Sequence, residues 1–401
     1  MAKYAFFSIP AHGHVLPTLP LVAELVSRGE HVNYYMTGEH KDSIEAAGAR
    51  WHDFPFFGKL SLEDEERGTN ILIESLRAEQ TDFIIYDFFF IWGTLFARAL
   101  QIPAINIRGT YANNRHFSMQ SIHQHKSHIW RGKDKDDSAK YFMPPLYAQF
   151  ARIGKFLNVP LPLSDDPFDV FAGNEALNIY MMSRKFQPYA QTFDERHVFV
   201  GSSIQSRASN GDFPFEALDG RPLLYIALGT LFNHRADIFK TCLKAFAQTS
   251  WQVVLSRGRQ STIFALGPVP ANFLVVNYAP QLELLKRTAI FISHGGMNST
   301  IESIMAGVPV IYIPQIEEQA INAENAEKFG LGIALNPENV TVDQLRDAVE
   351  RITNSRAYYE ENIQAMRSSI QSEGGYKRAV DAILSLNARG ELAPMSSSSS
   401  S

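Results

Sequence analysis

The amino-acid sequence predicts an α/β protein built from two doubly wound parallel sheets. Short apolar runs typical of buried parallel strands alternate with helix-length segments twice along the chain, and residues 202–212 form a polar interruption between the two series. The 401 residues, 45% of them hydrophobic, suffice for two domains with full cores. We therefore expect a first domain at residues 1–201, a linker at 202–221 and a second domain at 222–375.

Two polar residues of the first series follow apolar strands. His14 lies where a strand at residues 4–9 gives way to a helix, and Asp87 ends a strand at residues 82–86. A neutral imidazole at this sheet edge suits a general base, and a carboxylate would fix its tautomer. Two simpler roles remain open: His14 as a structural histidine, and Asp87 as the N-cap of a helix beginning near Phe88, which is compatible with pairing to His14.

The second series contains a segment suited to binding phosphate. An apolar strand at residues 289–292 leads into His294, Gly295 and Gly296, and then into a helix. Backbone N–H groups and the helix dipole favour an anion there, the glycines allow close approach, and His294 adds a donor and, if protonated, a charge. Asn298 or Ser299 is expected to cap the helix. The alternative is an ordinary glycine-containing turn.

Further polar and aromatic residues are expected at the same sheet edge. A strand at residues 310–314 is followed by acidic and amide groups, and another short strand precedes an aromatic and an amide residue. An aromatic ring suits stacking on a base, and carboxylate and amide groups suit ribose and sugar hydroxyls. These residues, which together fit a nucleotide sugar, are Tyr278, Gln281, Glu302, Glu318 and Gln319.

Residues 278–319 closely resemble the donor-binding signature of the family 1 UDP-glycosyltransferases, nearest the bacterial macrolide and flavonoid glycosyltransferases. The resemblance implies that Tyr278, where the family usually has tryptophan, stacks on uracil. It also implies contacts to the base and ribose, the diphosphate and the hexose. The donor-binding residues implied are Gly229, Thr230, Tyr278, Ala279, Gln281, His294, Gly296, Asn298, Ser299, Glu302, Glu318 and Gln319.

The amino-terminal part resembles the same family through Gly13, His14 and Pro17. This implies that His14 is the general base, that Asp87 pairs with it, and that the fold is GT-B. In that fold two Rossmann-like domains face a central cleft, with the acceptor on the first and the donor on the second. A helix at residues 376–386 would cross back to the first domain, and residues 387–401 are expected to be a disordered or cloning-derived tail.

The predicted activity is inverting, metal-independent transfer of a hexose from a UDP-sugar to a hydroxyl of a small apolar acceptor. By resemblance, Gln319 favours UDP-glucose, and the acceptor is a flavonoid, another polyphenol or a macrolide. The 28 phenylalanines and 15 tyrosines suit a flat apolar acceptor. No metal or other cofactor is expected. His123, His125 and His128 suggest zinc, but their polar surroundings favour a solvated loop near the acceptor.

Composition limits the partners and the compartment. Lys and Arg total 37 against 42 Asp and Glu, a net charge of -5, which argues against nucleic-acid or anionic-membrane surfaces. The single cysteine, Cys242, fits a reducing cytoplasm. No apolar run reaches the roughly 18 residues of a membrane span, and the apolar start is too brief for a signal peptide.

Other classes fit the sequence less well. Neither half contains the Gly-x-Gly-x-x-Gly turn of a dinucleotide-binding dehydrogenase. A UDP-sugar 2-epimerase shares the two-domain fold, and a nucleotide-sugar sensor would bind a donor without turnover. The pair of His14 and Asp87 fits a hydroxyl acceptor better than an epimerase reaction, and the set of His14, Asp87 and Gln319 favours catalysis over binding alone. Glycosyl transfer is therefore the preferred interpretation.

Overall fold

A computed structural model of the 401-residue chain describes residues 1–54, 62–117, 138–161, 175–202, 204, 213–229, 235–258 and 267–389. The chain divides into two compact units. Among the described residues, the first unit contains 1–117, 138–161, 175–202 and 373–389, and the second contains 204, 213–229, 235–258 and 267–372. Thr230 and the histidines at 123, 125 and 128 lie outside the described residues.

The first unit contains a seven-stranded sheet in which every pairing is parallel. Its strands are β1 Lys3–Phe7, β2 His31–Met36, β3 Arg50–Asp53, β4 Phe83–Asp87, β5 Ala104–Arg108, β6 Leu177–Tyr180 and β7 His197–Phe199. Its helices before residue 204 are α1 His12–Val15, α2 Leu19–Ser27, α3 Lys41–Ala46, α4 Leu62–Ala78, α5 Trp92–Leu100 and α6 Ser138–Phe156. Short 3-10 turns lie at Leu16–Thr18, Gly38–His40, Arg184–Phe186 and Ala190–Thr192.

Helices cover both faces of this sheet because its strands are apolar on both sides. In β1, Tyr4 and Phe6 pack into one core together with Leu25 of α2. The alternate residue Phe7 packs into a second core on the opposite face, with Leu95 of α5. Strand β4 is buried along its whole length. Continuous burial of this kind is the mark of a parallel sheet with helices on both faces.

The second unit contains a six-stranded sheet, again with parallel pairings throughout. Its strands are β8 Leu223–Ala227, β9 Gln252–Ser256, β10 Phe273–Val276, β11 Thr288–Ser293, β12 Val310–Tyr312 and β13 Gly332–Ala334. Its helices are α7 Ala236–Phe246, α8 Gln281–Leu285, α9 Met297–Ala306, α10 Glu317–Lys328, α11 Val342–Asn354 and α12 Arg356–Ser372, and a 3-10 turn lies at Phe215–Ala217. Two doubly wound parallel sheets confirm the predicted fold class.

The last described helix, α13 Gly375–Arg389, belongs to the first unit. Its Ala379, Val380 and Ile383 are fully buried in the core that contains Tyr4 and Phe6. The N–H of Gly375 donates to the carbonyl of Val200 at 2.8 Å, which ties the start of the helix to the end of the sheet region. Apolar burial along one stripe therefore holds this helix against the first unit. None of the helices in the described ranges is long and apolar enough to cross a membrane.

Each sheet has one point at which the strand order reverses. In the first unit the order is β3-β2-β1-β4-β5-β6-β7, so the reversal lies between β1 and β4. In the second the order is β10-β9-β8-β11-β12-β13, and the reversal lies between β8 and β11. Connections leave such a pair of strands in opposite directions, which opens a crevice at their carboxyl ends where ligands of α/β proteins bind.

Two expectations about helix starts are wrong. The helix after Asp87 begins at Trp92 rather than near Phe88, because a turn intervenes. Helix α9 has Gly296 as its N-cap and no side-chain cap, so neither Asn298 nor Ser299 caps it. Both residues lie inside the first turn instead, where backbone N–H groups lack helical partners.

Candidate active site

His14 and Asp87 meet at the reversal point of the first sheet. His14 lies in α1, just after β1, and Asp87 is the last residue of the adjacent strand β4. Nδ1 of His14 and Oδ2 of Asp87 are 2.8 Å apart. The His14 side chain is 19% exposed and that of Asp87 only 4%. A carboxylate can only accept, so Nδ1 carries the proton and Nε2 carries the lone pair of the neutral imidazole.

The turn after β4 holds the Asp87 carboxylate in place. Its other oxygen, Oδ1, accepts from the N–H of Phe89 at 3.0 Å, and the carbonyl of Asp87 accepts from the N–H of Phe90 at 2.7 Å. One oxygen is thus committed to the backbone and the other to His14. Asp87 was expected as a possible N-cap of the next helix. Its backbone contact instead stabilises the turn that precedes α5.

Aromatic rings lie beside this pair, together with a buried cation that the sequence analysis did not single out. The His14 ring lies 5.2 Å from the ring of Phe89 and 5.9 Å from that of Phe88. Arg108, only 1% exposed, lies with its guanidinium carbon 5.3 Å from the centroid of the Phe88 ring, and its charge interacts with the Asp87 carboxylate. The pair therefore lies beside aromatic rings, with the buried guanidinium of Arg108 nearby.

The first unit also contains a cavity of about 310 Å³ between the ends of β2 and β3 and helix α4. Its wall includes Tyr35, Phe54, Ile71 and Leu72. The ring of Phe54 contacts that of Phe90 at 5.9 Å, in the turn that follows Asp87. The volume is in the range of small-molecule sites.

In the second unit, the predicted phosphate segment lies at the reversal point between β8 and β11. Gly229 follows β8 and His294 follows β11, and these strands pair with Ala227 opposite Ser293. A Cβ at Gly229 would lie 2.9 Å from Nε2 of His294, and one at Gly296 would lie 2.6 Å from the same atom. The imidazole therefore occupies space that any side chain at either position would take.

Contacts to the third glycine fix this loop to the following helix. Gly295 has φ +81, and its N–H donates to Ser293 Oγ at 3.2 Å. Its carbonyl accepts from Nδ2 of the fully buried Asn322 in α10 at 2.9 Å. The sequence did not indicate Asn322, because nothing local to it distinguishes it from an ordinary helix residue. Its contact joins residues 27 apart in the chain.

Burial determines the protonation state of His294. Burial lowers the pKa of His294 to about 4, and hydrogen bonding to the Ala227 backbone offsets this only in part. Its Nδ1 is buried and makes no hydrogen bond within normal geometry to the described part of the chain. At neutral pH, His294 is therefore an uncharged donor, and of the two contributions considered from the sequence only the donor applies.

Gln281 contacts two other predicted donor-binding residues. Its Nε2 donates to Glu302 Oε2 at 2.6 Å and to Ser299 Oγ at 3.1 Å, while its Oε1 accepts from the hydroxyl of Tyr225 at 3.3 Å. Ser299 and Glu302 are on α9, and Gln281 is the first residue of α8. Tyr225, in β8, is a further residue that the sequence reasoning missed.

Tyr278 is close to this group and accessible. Its side chain is 64% exposed, and the charged forms of both Tyr278 and Glu302 help raise the pKa of Tyr225. Ala279, next to it, is 2% exposed and packs inward. An exposed ring beside a carboxylate is the arrangement expected for a base above a ribose.

Glu318 and Gln319 lie in the first turn of α10. Oε1 of Gln319 accepts from the N–H of Gln315 at 2.8 Å, so the oxygen end of its amide is held by the backbone. The backbone carbonyl of Gln319 would lie 3.3 Å from a Cβ at Gly295. The residues expected at the hexose therefore share one helix with Asn322, which holds the phosphate loop.

The structure thus brings together His14 with Asp87, Gly229 with His294 and Gly296, and Gln281 with Ser299 and Glu302. It places Asn298 in the first turn of α9. Within the described ranges, no group of three or more His, Cys, Asp or Glu residues is arranged to hold a metal ion. The expected roles of these residues stay predictions.

Comparison with known proteins identifies the class. Residues 241–384 match the family described as erythromycin biosynthesis protein CIII-like, C-terminal domain. An uncharacterized UDP-glucosyltransferase of Bacillus subtilis (strain 168), YojK, is 35% identical over 405 residues, covering 96% of this chain and 97% of its own. Demethyllactenocin mycarosyltransferase of Streptomyces fradiae is 30% identical over 411 residues, covering 96% and 86%. The crystal structure of the calicheamicin glycosyltransferase CalG4 superposes with a TM-score of 0.70 at 30% identity, covering 98% of this chain and 100% of its own.

The two parallel sheets and these relatives define an enzyme of the GT-B class, a glycosyltransferase. The chain belongs to the bacterial family 1 glycosyltransferases. The predicted family, fold and enzyme class are confirmed.

Proposed function

We propose that this glycosyltransferase moves a hexose, glucose in the first instance, from a UDP-sugar to a hydroxyl of a small apolar acceptor. It would do so with inversion and without a metal ion. The observation that carries the proposal is the 2.8 Å contact between His14 Nδ1 and Asp87 Oδ2, which places the proton on Nδ1 and the basic lone pair on Nε2.

In this scheme Nε2 of His14 takes the proton of the acceptor hydroxyl as that oxygen attacks the anomeric carbon. The bond between that carbon and the diphosphate oxygen breaks, and UDP leaves with the electron pair. Attack opposite the leaving group inverts the anomeric centre. The carboxylate of Asp87 stabilises the imidazolium that forms, which is the role its burial and two hydrogen bonds suit.

The donor would be held by the second unit. The N-terminal turn of α9 and neutral His294 would bind the diphosphate and the charge that develops on it as UDP leaves. Glu302 would accept hydrogen bonds from the ribose hydroxyls, and the exposed ring of Tyr278 would stack on uracil. Nε2 of Gln319 and the carboxylate of Glu318 would bind the hexose hydroxyls. YojK, by its name a UDP-glucosyltransferase, supports the choice of UDP-glucose.

The acceptor is proposed to be an aromatic or macrocyclic alcohol such as a flavonoid, another polyphenol or a macrolide. Support comes from Phe88 and Phe89 beside His14 and from the cavity lined by Phe54 and Ile71. A relative named for mycarosyl transfer to demethyllactenocin supports a natural-product acceptor. Residues 55–61, which adjoin this cavity in sequence, are outside the described residues.

The test is to incubate the protein with UDP-glucose and a panel of phenols and macrolides, with and without EDTA. Release of UDP together with a β-glucoside from the α-linked donor, unaffected by EDTA, is expected. An α-linked product would reject inversion, and loss of activity in EDTA would reject metal independence. Donor binding without UDP release would favour a sensor, and conversion of the sugar without an acceptor would favour an epimerase.

A further inference from the structure

Tyr225 occupies the centre of the second sheet, next to the reversal point. It is 2% exposed and lies in β8 between the neighbouring strands β9 and β11. Its ring stacks on that of Phe291 in β11, with centroids 4.7 Å apart and planes within 6°. Strand pairing on both sides and this stacking fix the position of its hydroxyl.

The hydroxyl of Tyr225 keeps its proton and acts as a donor. Burial raises its pKa far above the ordinary value, the nearby charges of Tyr278 and Glu302 act in the same direction, and a hydrogen bond with Ser256 offsets them only in part. It donates to Oε1 of Gln281 at 3.3 Å. The hydrogen bond from this rigid, buried hydroxyl therefore holds the amide oxygen of Gln281 on the Tyr225 side.

The nitrogen end of the same amide faces Glu302. Nε2 of Gln281 donates to Glu302 Oε2 at 2.6 Å and to Ser299 Oγ at 3.1 Å. An amide rotated by half a turn would present its oxygen to the carboxylate, two acceptors facing one another, which is unfavourable. The direction Tyr225 to Gln281 to Glu302 is thus the one that satisfies every group.

We infer that Tyr225 is a positioning residue for donor recognition: through Gln281 it holds the Glu302 carboxylate in the orientation that receives the ribose hydroxyls. The inference rests on the proposed function, in which Glu302 binds the ribose. Tyr225 itself contacts neither the sugar nor the reacting atoms in this scheme.

The inference predicts an effect confined to the ribose hydroxyls. Without the Tyr225 hydroxyl, Oε1 of Gln281 loses its protein partner, the amide can rotate, and Glu302 loses a fixed donor. Binding of a ligand that lacks the ribose hydroxyls should then be unchanged. A purely structural role for Tyr225 would weaken binding of both ligands equally, because the whole site would be disturbed.

The experiment measures calorimetric dissociation constants for UDP and for 2′,3′-dideoxyuridine diphosphate with the full-length protein and with Tyr225→Phe. The wild-type protein should prefer UDP by more than about tenfold, as expected for hydrogen bonds to a charged acceptor. Tyr225→Phe should reduce that preference by about two- to tenfold while leaving the dideoxy constant within about twofold. The matched control is Tyr4→Phe, which removes a fully buried hydroxyl that has no hydrogen-bond partner in the described part of the chain.

A double-mutant cycle provides the second measurement. Gln281→Ala should lower the preference for UDP by itself, and adding Tyr225→Phe to it should have no further effect, since both changes interrupt one chain of contacts. Additive effects, an unchanged preference in Tyr225→Phe, or equal weakening of both ligands would overturn the inference. A wild-type protein that binds UDP without preferring it, or does not bind it, would instead refute the ribose role of Glu302 on which the inference depends.

Discussion

Replacement of Asp87 by asparagine gives the sharpest test of the proposed general base. The N–H of Phe89 donates to Oδ1 of Asp87 at 3.0 Å, and Nδ1 of His14 contacts Oδ2 at 2.8 Å. An asparagine would keep its single oxygen on the Phe89 N–H, so its NH₂ group would face His14. The imidazole must then accept at Nδ1 and carry its proton on Nε2, which is the wrong tautomer for a base.

The size of the loss follows from the geometry. An imidazolium and a carboxylate whose charges are about 4 Å apart attract by about 4 kcal/mol at an effective dielectric constant near 20, which corresponds to about 10³-fold in rate. The side chains of Asp87 and His14 are only 4% and 19% exposed, so screening by solvent is limited. We expect kcat to fall by about 10²- to 10⁴-fold, the range ordinarily found for general-base catalysis.

The assay is release of UDP from UDP-glucose with the best phenol of the panel, with calorimetric UDP binding measured in parallel. UDP affinity should be unchanged, because Asp87 belongs to the first unit and the proposed UDP residues to the second. The matched control is Asp82→Asn, immediately before the same strand, where Oδ2 accepts from the N–H of Lys3 at 2.8 Å. An Asp87→Asn protein that retains more than about a tenth of the wild-type kcat would refute the tautomer argument.

Three further predictions concern the second unit. Burial lowers the pKa of His294 to about 4 in the folded chain, whereas the unfolded chain has a value near 6.5. Between these two pH values the unfolded chain binds a proton that the folded chain does not bind. The free energy of unfolding should therefore fall by up to about 3 kcal/mol as the pH drops through this window. Urea unfolding at several pH values should show this component in the wild type and not in His294→Gln, and identical pH dependence would contradict it. Gln319→Glu keeps an acceptor for the Gln315 N–H but loses the Nε2 donor. The ratio of kcat/KM for UDP-glucose to kcat/KM for UDP-galactose should therefore fall about two- to tenfold. An unchanged ratio would show that Gln319 does not contact the hexose. Tyr278→Trp should tighten UDP binding by about 0.5 to 1.5 kcal/mol because tryptophan offers a larger stacking face. The control Tyr358→Trp, at a comparably exposed tyrosine of α12, should leave UDP binding unchanged. Weaker binding in Tyr278→Trp would mean that the ring is not beneath the base.

Local patterns in the sequence were sufficient for the fold class and for many element positions. Apolar runs predicted β4 and β11 closely, and the glycine-rich segment after residue 292 was correctly taken as a strand-to-helix turn. Helix starts were less well predicted. The aromatic run after Asp87 has no feature that distinguishes a turn from a first helical turn, and α9 begins at a glycine although two good capping residues follow it.

The candidate site shows the same division. His14, Asp87, Gln281 and Glu302 were found from motif spacing and family resemblance. Tyr225, Asn322 and Arg108 were not, because each belongs to a strand or helix in which its residue type has no local signature. The polar contacts of Tyr225 and Asn322 become visible only when the partner helix or loop is in place, and the position of Arg108 over the Phe88 ring only when the fold is known.

The sequence by itself determined the order of strands and helices, the glycines that allow the phosphate loop, and the membership of a glycosyltransferase family. These properties depend on residues close together in the chain, or on a long motif read directly. Only the tertiary structure decided that Asp87 divides its two oxygens between Phe89 and His14, that His294 is uncharged at neutral pH, and that Tyr225 anchors Gln281. These properties depend on burial and on contacts between residues that are far apart in the chain, 73 positions for His14 and Asp87 and 56 positions for Tyr225 and Gln281. A sequence pattern does not show which distant residues come into contact.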